Sequence, residues 1–227
     1  MPVSLQLLQQ QHAESPLDFD FETSDSGIDL YFPQVDMHFQ HSFLVGAFAR
    51  RAQQSNQALL KACSNKQATI KTVLDMTAGW GIDSLSLASH GKRVTMLEQN
   101  PMLQAIVSWS LDCLGADSAG CVVAGRLSLQ QAHARDFLQT SNDSFDCIYL
   151  DPMFPPHKSS AKPAKAMQLL QSLTENLDMD ACVELALQKA GNRVVIKRPL
   201  KAAALVERKA DLVYREKTVR FDVYLTK

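Results

Sequence analysis

The chain is 227 residues long, 46% hydrophobic and 21% charged, with a formal net charge of −1. That length supports one main domain with a small appendage, and the composition excludes disordered, collagenous and membrane-spanning classes. All 23 Lys and Arg lie after residue 49, whereas seven of the 24 acids lie before it, so the remainder carries an excess of six positive charges and can offer an anionic partner a basic face.

The start, M-P-V-S-L-Q-L-L, has neither the basic n-region nor the apolar core of a secretion signal. Cys63, Cys113, Cys121, Cys147 and Cys182 are odd in number and never spaced C-x-x-C, which argues against a disulfide framework or zinc site and for a reducing cytoplasm.

In chain order, L-D-F-D-F-E-T (residues 17–23) and I-D-L-Y-F (28–32) alternate in polarity around S-D-S-G and predict a β-hairpin. Apolar residues at helical spacing predict a helix from about His41 to Cys63, and N-K-Q-A-T-I-K reads as a link to the main domain. The organisation expected is an appendage over residues 1–66 and a main domain over 67–227.

From Thr72 the pattern changes to short apolar strands separated by helices. T-V-L-D-M is a strand, A-G-W-G-I-D a glycine turn, D-S-L-S-L-A-S-H a helix closed by Gly91, and R-V-T-M-L-E a second strand. Asn100 is the expected N-cap of the next helix, with Pro101 at its first position. L-S-L-Q-Q-A, F-D-C-I-Y-L-D and R-V-V-I-K supply further strands, the last preceded by a helix over 181–190, and residues 211–227 read as an antiparallel hairpin. Alternating strands and helices imply an α/β, Rossmann-like fold: a mostly parallel sheet with helices on both faces.

Ligands in such sheets bind beyond the carboxyl ends of the strands. The residues placed there are Asp75 with the Gly79/Gly81 turn, Glu98, the H-A-R-D segment from His133 to Asp136, and Asp151. Glu98 is where an acid accepts hydrogen bonds from ribose hydroxyls, which implies a nucleoside-containing cofactor. A-G-W-G-I-D-S lacks the third glycine of a dinucleotide fingerprint and puts Asp83 at the helix start. A carboxylate there repels a pyrophosphate but suits the amino group and sulfonium of S-adenosylmethionine. A nicotinamide dehydrogenase is disfavoured for the same reason.

The stretch D-P-M-F-P-P-H-K follows the strand that ends at Leu150. An acid, prolines that stiffen the loop and an aromatic ring suit a planar amine. Asp151 and the Pro152 carbonyl can accept its N–H groups and aim the nitrogen lone pair, while Phe154 stacks on the base. Arg50, Arg51, Lys158, Lys162, Lys165, Lys197, Arg198 and Lys201 flank the expected cleft. Of these, Lys158, Lys197 and Arg198 are the candidates for contacts to the phosphates of an anionic partner. His133 and His157 have no second ligand at useful spacing, so no metal is expected.

The segments V-L-D-M-T-A-G-W-G-I-D-S, M-L-E-Q-N-P, Y-L-D-P-M-F-P, K-A-M-Q-L-L-Q-S-L, V-V-I-K-R-P and R-F-D-V-Y together resemble the RsmJ-type small-subunit ribosomal RNA guanine-N2 methyltransferases, over roughly residues 70–227. The resemblance implies a class I methyltransferase fold, S-adenosylmethionine as donor, and a guanosine of 16S ribosomal RNA, free or in the small ribosomal subunit, as acceptor. Carried over by motif position, the cofactor contacts are Ile82, Asp83, Glu98, Gln99, Arg135, Asp136 and Asp151. The chain departs from the family where Arg135 and Asp136 replace a small pair after H-A. An adenine-N6 methyltransferase and a non-catalytic, cofactor-dependent RNA-binding module remain alternatives.

Overall fold

The computed structural model describes residues 2–14, 18–54, 56–65, 69–152 and 179–226. Phe154, Pro155, Pro156, His157, Lys158, Lys162, Lys165 and the segment 165–173 lie outside the described residues, as does part of the expected link before residue 69.

A seven-stranded sheet carries the fold. Its strands are β4 (Thr72–Asp75), β5 (Arg93–Glu98), β6 (Leu127–Gln131), β7 (Phe145–Leu150), β8 (Ala190–Pro199), β9 (Leu212–Arg215) and β10 (Val219–Leu225), in the order β6-β5-β4-β7-β8-β10-β9. The first five run parallel, and β10 is antiparallel to both β8 and β9. This is the expected parallel sheet with an antiparallel C-terminal hairpin.

Both faces of the sheet are covered, and strand alternation divides its side chains between them. In β7, Cys147 and Tyr149 enter one core with Val73, Met96 and Leu85, while Ile148 and Leu150 enter the other with Leu74, Val183 and Ile196. The first face is capped by α3 (Gln57–Ala62), α4 (Ile82–Ser89) and part of α5 (Pro101–Ala116); the second by α7 (Ala134–Thr140) and α8 (Met179–Lys189). A short helix, α6 (Cys121–Ala124), leads into β6. Asn100 caps α5 as expected: its side chain accepts from the amides of Met102 and Leu103, and Pro101 opens the helix.

The N-terminal region differs from expectation in three ways. The hairpin is β1 (Asp20–Ser24) with β2 (Gly27–Phe32), and a third strand, β3 (Met37–His41), completes an antiparallel sheet. A helix, α1 (Val3–Glu14), precedes it and packs on α5. The single helix expected from His41 to Cys63 is instead the end of β3 followed by two short helices, α2 (Gly46–Gln53) and α3. Gly46, at φ +77°, precludes a continuous helix, and Asn56 starts α3 afresh by accepting from the Leu59 amide at 2.8 Å.

His41 joins this small sheet to the rest of the molecule. Its ring is fully buried, Nε2 lies 3.0 Å from the Trp80 carbonyl oxygen and Nδ1 lies 2.7 Å from the Ser110 hydroxyl. A carbonyl only accepts, so Nε2 carries a proton; burial disfavours the charged ring, so Nδ1 is the acceptor from Ser110, whose hydroxyl also lies 3.2 Å from the His41 carbonyl oxygen. Around it Phe39, Phe48 and Trp80 form an aromatic cluster, and Ile28, Leu30 and Phe32 of the small sheet share a core with Met102 and Ile106 of α5.

Burial lowers the His41 pKa from 6.5 to about 4, against the Trp80 hydrogen bond, which raises it. The unfolded chain therefore binds more protons between those values, so this group's stabilisation is complete above pH 6.5 and lost as pH falls toward 4. Glutamine can make both hydrogen bonds without titrating. Relative to His41→Gln, the wild type should lose about 3 kcal/mol across that window, as read by urea unfolding at several pH values. A constant difference between the two proteins would show that His41 is not buried as the neutral ring.

Candidate active site

The carboxyl edge of β4, β5 and β7 is knit together by backbone bonds. The Met76 amide donates to the Tyr149 carbonyl at 3.0 Å, the Ala78 amide to the Leu97 carbonyl at 3.0 Å, and the Asp151 amide to Thr77 Oγ1 at 2.7 Å. These bonds fix where the glycine turn begins. Gly79 and Gly81 both have positive φ, +52° and +73°. A Cβ at Gly81 would also lie 2.8 Å from Phe43 Cζ and 2.9 Å from Met96 Cε, so the turn needs glycine for conformation and for space. Phe43, just beyond β3, thus braces the turn from one side while His41 holds its Trp80 carbonyl.

Asp75 faces inward. It is 1% exposed and accepts from Ser84 Oγ at 2.6 Å and from the Thr77 amide at 3.1 Å, which ties the end of β4 to the first turn of α4. Burial pushes its pKa up to about 7 despite those two donors. Of the residues expected at the cofactor, Asp75 therefore stands behind the turn.

Glu98 spans two turns. Its Oε2 accepts from the Gly79 amide at 2.9 Å and its Oε1 from the Asn100 amide at 2.8 Å. Burial raises its pKa, opposed by backbone N–H groups of Asn100, Gly79 and Gln99. Of the four lone-pair sites on the carboxylate, one remains for a hydroxyl donor. Gln99 is half-buried beside it. Arg135, half-buried, and Asp136, exposed, open α7 at the same sheet edge, where β6 pairs with β5.

Asp83, Asp151 and Lys197 form one cluster. Lys197 Nζ lies 2.8 Å from Asp83 Oδ2 and 2.8 Å from Asp151 Oδ2, and the Tyr149 hydroxyl donates to Asp83 Oδ2 at 2.5 Å. Burial disfavours the Lys197 charge, but Asp151 and Asp83 overcome it and hold the ammonium above the ordinary lysine range. Burial likewise opposes ionisation of Asp83; Lys197, by charge and hydrogen bond, and then Tyr149 bring it below the usual carboxylate range. Burial raises Asp151, with Lys197 working against it and Asp83 adding to it. Burial and the nearby carboxylates keep Tyr149 protonated and hence a donor.

Lys197 and Arg198, expected at RNA phosphates, are both engaged within the protein. They are neighbours on β8 and so point to opposite faces of the sheet. Lys197 lies between two carboxylates, and Arg198 is only 6% exposed and donates to the Ala203 carbonyl. Arg50, Arg51 and Lys201 are exposed. Pro152 is buried next to Asp151, and Ile82 is half-buried, packed against two of the cores. Tyr149, Ser84, Thr77 and His41 were not singled out from the sequence. Their signals are slight: Tyr149 lies two residues before Asp151, and Ser84 follows Asp83.

The residues fit S-adenosylmethionine. The turn offers a ribose-binding acid and backbone close approach, and the helix that follows starts with an acid that accepts cations and repels phosphate. Glu98 would hold the ribose, and Asp83 the cationic end.

The family model described as "Putative SAM-dependent methyltransferase" matches residues 6–226. The chain belongs to this family. It is an S-adenosylmethionine-dependent methyltransferase. Among its relatives, "Ribosomal RNA small subunit methyltransferase J" of Tolumonas auensis is 39% identical over 96% of this chain and 90% of its own length. The protein of that name from Aeromonas salmonicida is 40% identical over 81% and 76%. A solved structure of a SAM-dependent methyltransferase from Neisseria gonorrhoeae superposes with a TM-score of 0.74 at 24% identity, covering 99% of this chain and 92% of that one, and shares its fold.

Glu98→Ala in this methyltransferase should weaken S-adenosylmethionine binding by roughly 1.5–3 kcal/mol, the range for hydrogen bonds to a charged group. Calorimetry on a variant that melts cooperatively reads this. Unchanged affinity would remove Glu98 from the ribose position.

Proposed function

We propose that this protein transfers a methyl group to the exocyclic N2 of a guanosine in 16S ribosomal RNA, free or within the small ribosomal subunit. The observation that carries the reading is Asp151. Its carboxylate stands at the carboxyl end of β7, and one oxygen is held by Lys197 at the cluster that includes Asp83. The relatives named as ribosomal RNA small subunit methyltransferases, similar along most of the chain, support the choice of RNA.

A guanine amine is a poor nucleophile because its lone pair is delocalised into the ring. Asp151 accepts a hydrogen bond from N2–H, which favours the pyramidal nitrogen and directs its lone pair away from the ring plane. The Pro152 carbonyl takes the second N–H. S-adenosylmethionine, when bound, supplies an electrophilic methyl carried by a sulfonium. As N2 gains that methyl it loses one proton, and the Asp151 carboxylate receives it. The rest of the chain contributes position.

We further assign residues 67–227 to the methyltransferase body and residues 1–66 to an appendage that packs on α5 and on the glycine turn. Among the described residues no helix is long and apolar enough to cross a membrane, and a cytoplasmic location fits a ribosomal RNA substrate.

The test is methyl transfer to ribosomal RNA from a strain lacking this protein, with the modified nucleoside identified by mass spectrometry. N2-methylguanosine in 16S RNA is expected. N6-methyladenosine would favour the adenine reading, and RNA binding without transfer would favour a non-catalytic module. Asp151→Asn should cut the single-turnover rate at saturating cofactor and RNA by roughly 10²-fold while changing RNA affinity little. A near wild-type rate would make the loop after β7 structural.

A further inference from the structure

We propose that Lys197 is a positioning residue that clamps Asp151 to Asp83 through one ammonium group, fixing the Asp151 carboxylate by Oδ2 and leaving Oδ1 to face the acceptor amine. This rests on the reading of Asp151 as the anchor of that amine.

The geometry is specific. A single Nζ lies 2.8 Å from an oxygen of each acid, and the two acids come from different elements: Asp83 from the first turn of α4, Asp151 from the end of β7. Strand register delivers the lysine. Leu150 pairs with Ile196, so the next residues, Asp151 and Lys197, lie side by side. Alternation puts Lys197 on the same sheet face as Val195, the face that α4 covers. From the antiparallel neighbour β10, the residue opposite Lys197 is Phe221, fully buried and apolar. That side offers no competing charge, and the ammonium turns to the two acids.

The surrounding charges explain why a cation is needed there. Asp83 and Asp151 each disfavour ionisation of Asp75, Asp83 disfavours that of Asp151, and Tyr149 donates into the same cluster. Without a cation, two of these acids would share a proton at neutral pH, as like charges at close range do. An Asp151 that holds that proton donates from one oxygen and has lost the anion that receives the amine proton. Lys197 therefore sets which protonation state meets the substrate. The arrangement also links the two halves of the site, since Asp83 stands on the cofactor side and Asp151 on the acceptor side.

Two variants and two readouts test the placement. Lys197→Met removes the charge and keeps the length; Lys197→Arg keeps the charge. Carbon-13 titration of the aspartate carboxyls, without RNA or cofactor, should show Asp151 or Asp83 titrating about 1–3 pH units higher in Lys197→Met than in wild type. In single-turnover methyl transfer the acid limb should move up by a similar amount, so that the rate at pH 7 falls at least about tenfold and recovers in more alkaline buffer. Lys197→Arg should return the limb toward wild type. Unmoved carboxyl titrations in Lys197→Met would overturn the clamp. So would an unmoved acid limb with a slope of log RNA affinity against log salt smaller by about one contact, because Lys197 would then be a phosphate ligand. Shifted titrations in a protein whose wild type leaves guanine unmethylated would keep the clamp and sink the substrate assignment instead.

Discussion

Four carboxylates, those of Asp75, Asp83, Glu98 and Asp151, converge at the carboxyl edge of one parallel sheet, and burying that much like charge governs the local structure. Three devices match the four acids. Asp75 takes a hydroxyl and an amide, Glu98 takes two turn amides, and Asp83 and Asp151 share one lysine. Because the donors come from the turns themselves, satisfying the acids and shaping the site are the same act. The glycine turn is held by Glu98 at Gly79 and by His41 at Trp80, so its conformation does not rest on a ligand.

The N-terminal sheet belongs to this scheme. His41 and Phe43 reach the turn from a strand far from it in sequence, and α1 is anchored to α5 by Ser4, which donates to Asp112 at 2.5 Å. A buried neutral histidine between a carbonyl and a hydroxyl leaves no unpaired polar atom on its ring, whereas an apolar residue there would take the ring's hydrogen bond from the Trp80 carbonyl and leave the Ser110 hydroxyl only the backbone carbonyl of residue 41. The appendage thus acts on the site through packing and hydrogen bonds to the main domain, without supplying a group to the chemistry. Residues 1–49 carry seven acids and no Lys or Arg, so that part of the appendage repels a phosphate-bearing substrate, in line with the same division of labour.

The main domain was legible in the sequence because its elements carry local signals: apolar strands of four to ten residues, the A-G-W-G turn, the Asn100–Pro101 helix start. The appendage was legible only in part. The apolar residues of α1 do not form a clear stripe, and only Ser4 and Leu8 are buried on it, so no periodicity marked it. Strand β3, M-H-F-Q-H, runs directly into the apolar residues that were read as helix, and the break depends on a left-handed Gly46. Among site residues, strand ends were found because topology fixes them. The pairing of Lys197 with Asp83 and Asp151 was not, because K-R-P reads as a basic patch until the sheet register shows which face each side chain takes. His41, 39 residues before Trp80 and 69 before Ser110, had no local signature at all.

Amide hydrogen exchange with and without S-adenosylmethionine tests most directly whether these strand ends hold the cofactor. Protection should rise in two stretches, 76–84 at the glycine turn and 98–100 after β5, with smaller changes at the start of α7. The unbound protein should already protect the Gly79 amide that Glu98 holds. Protection confined to the opposite, amino-terminal edge of the sheet, with the glycine turn unchanged, would contradict the placement of the site.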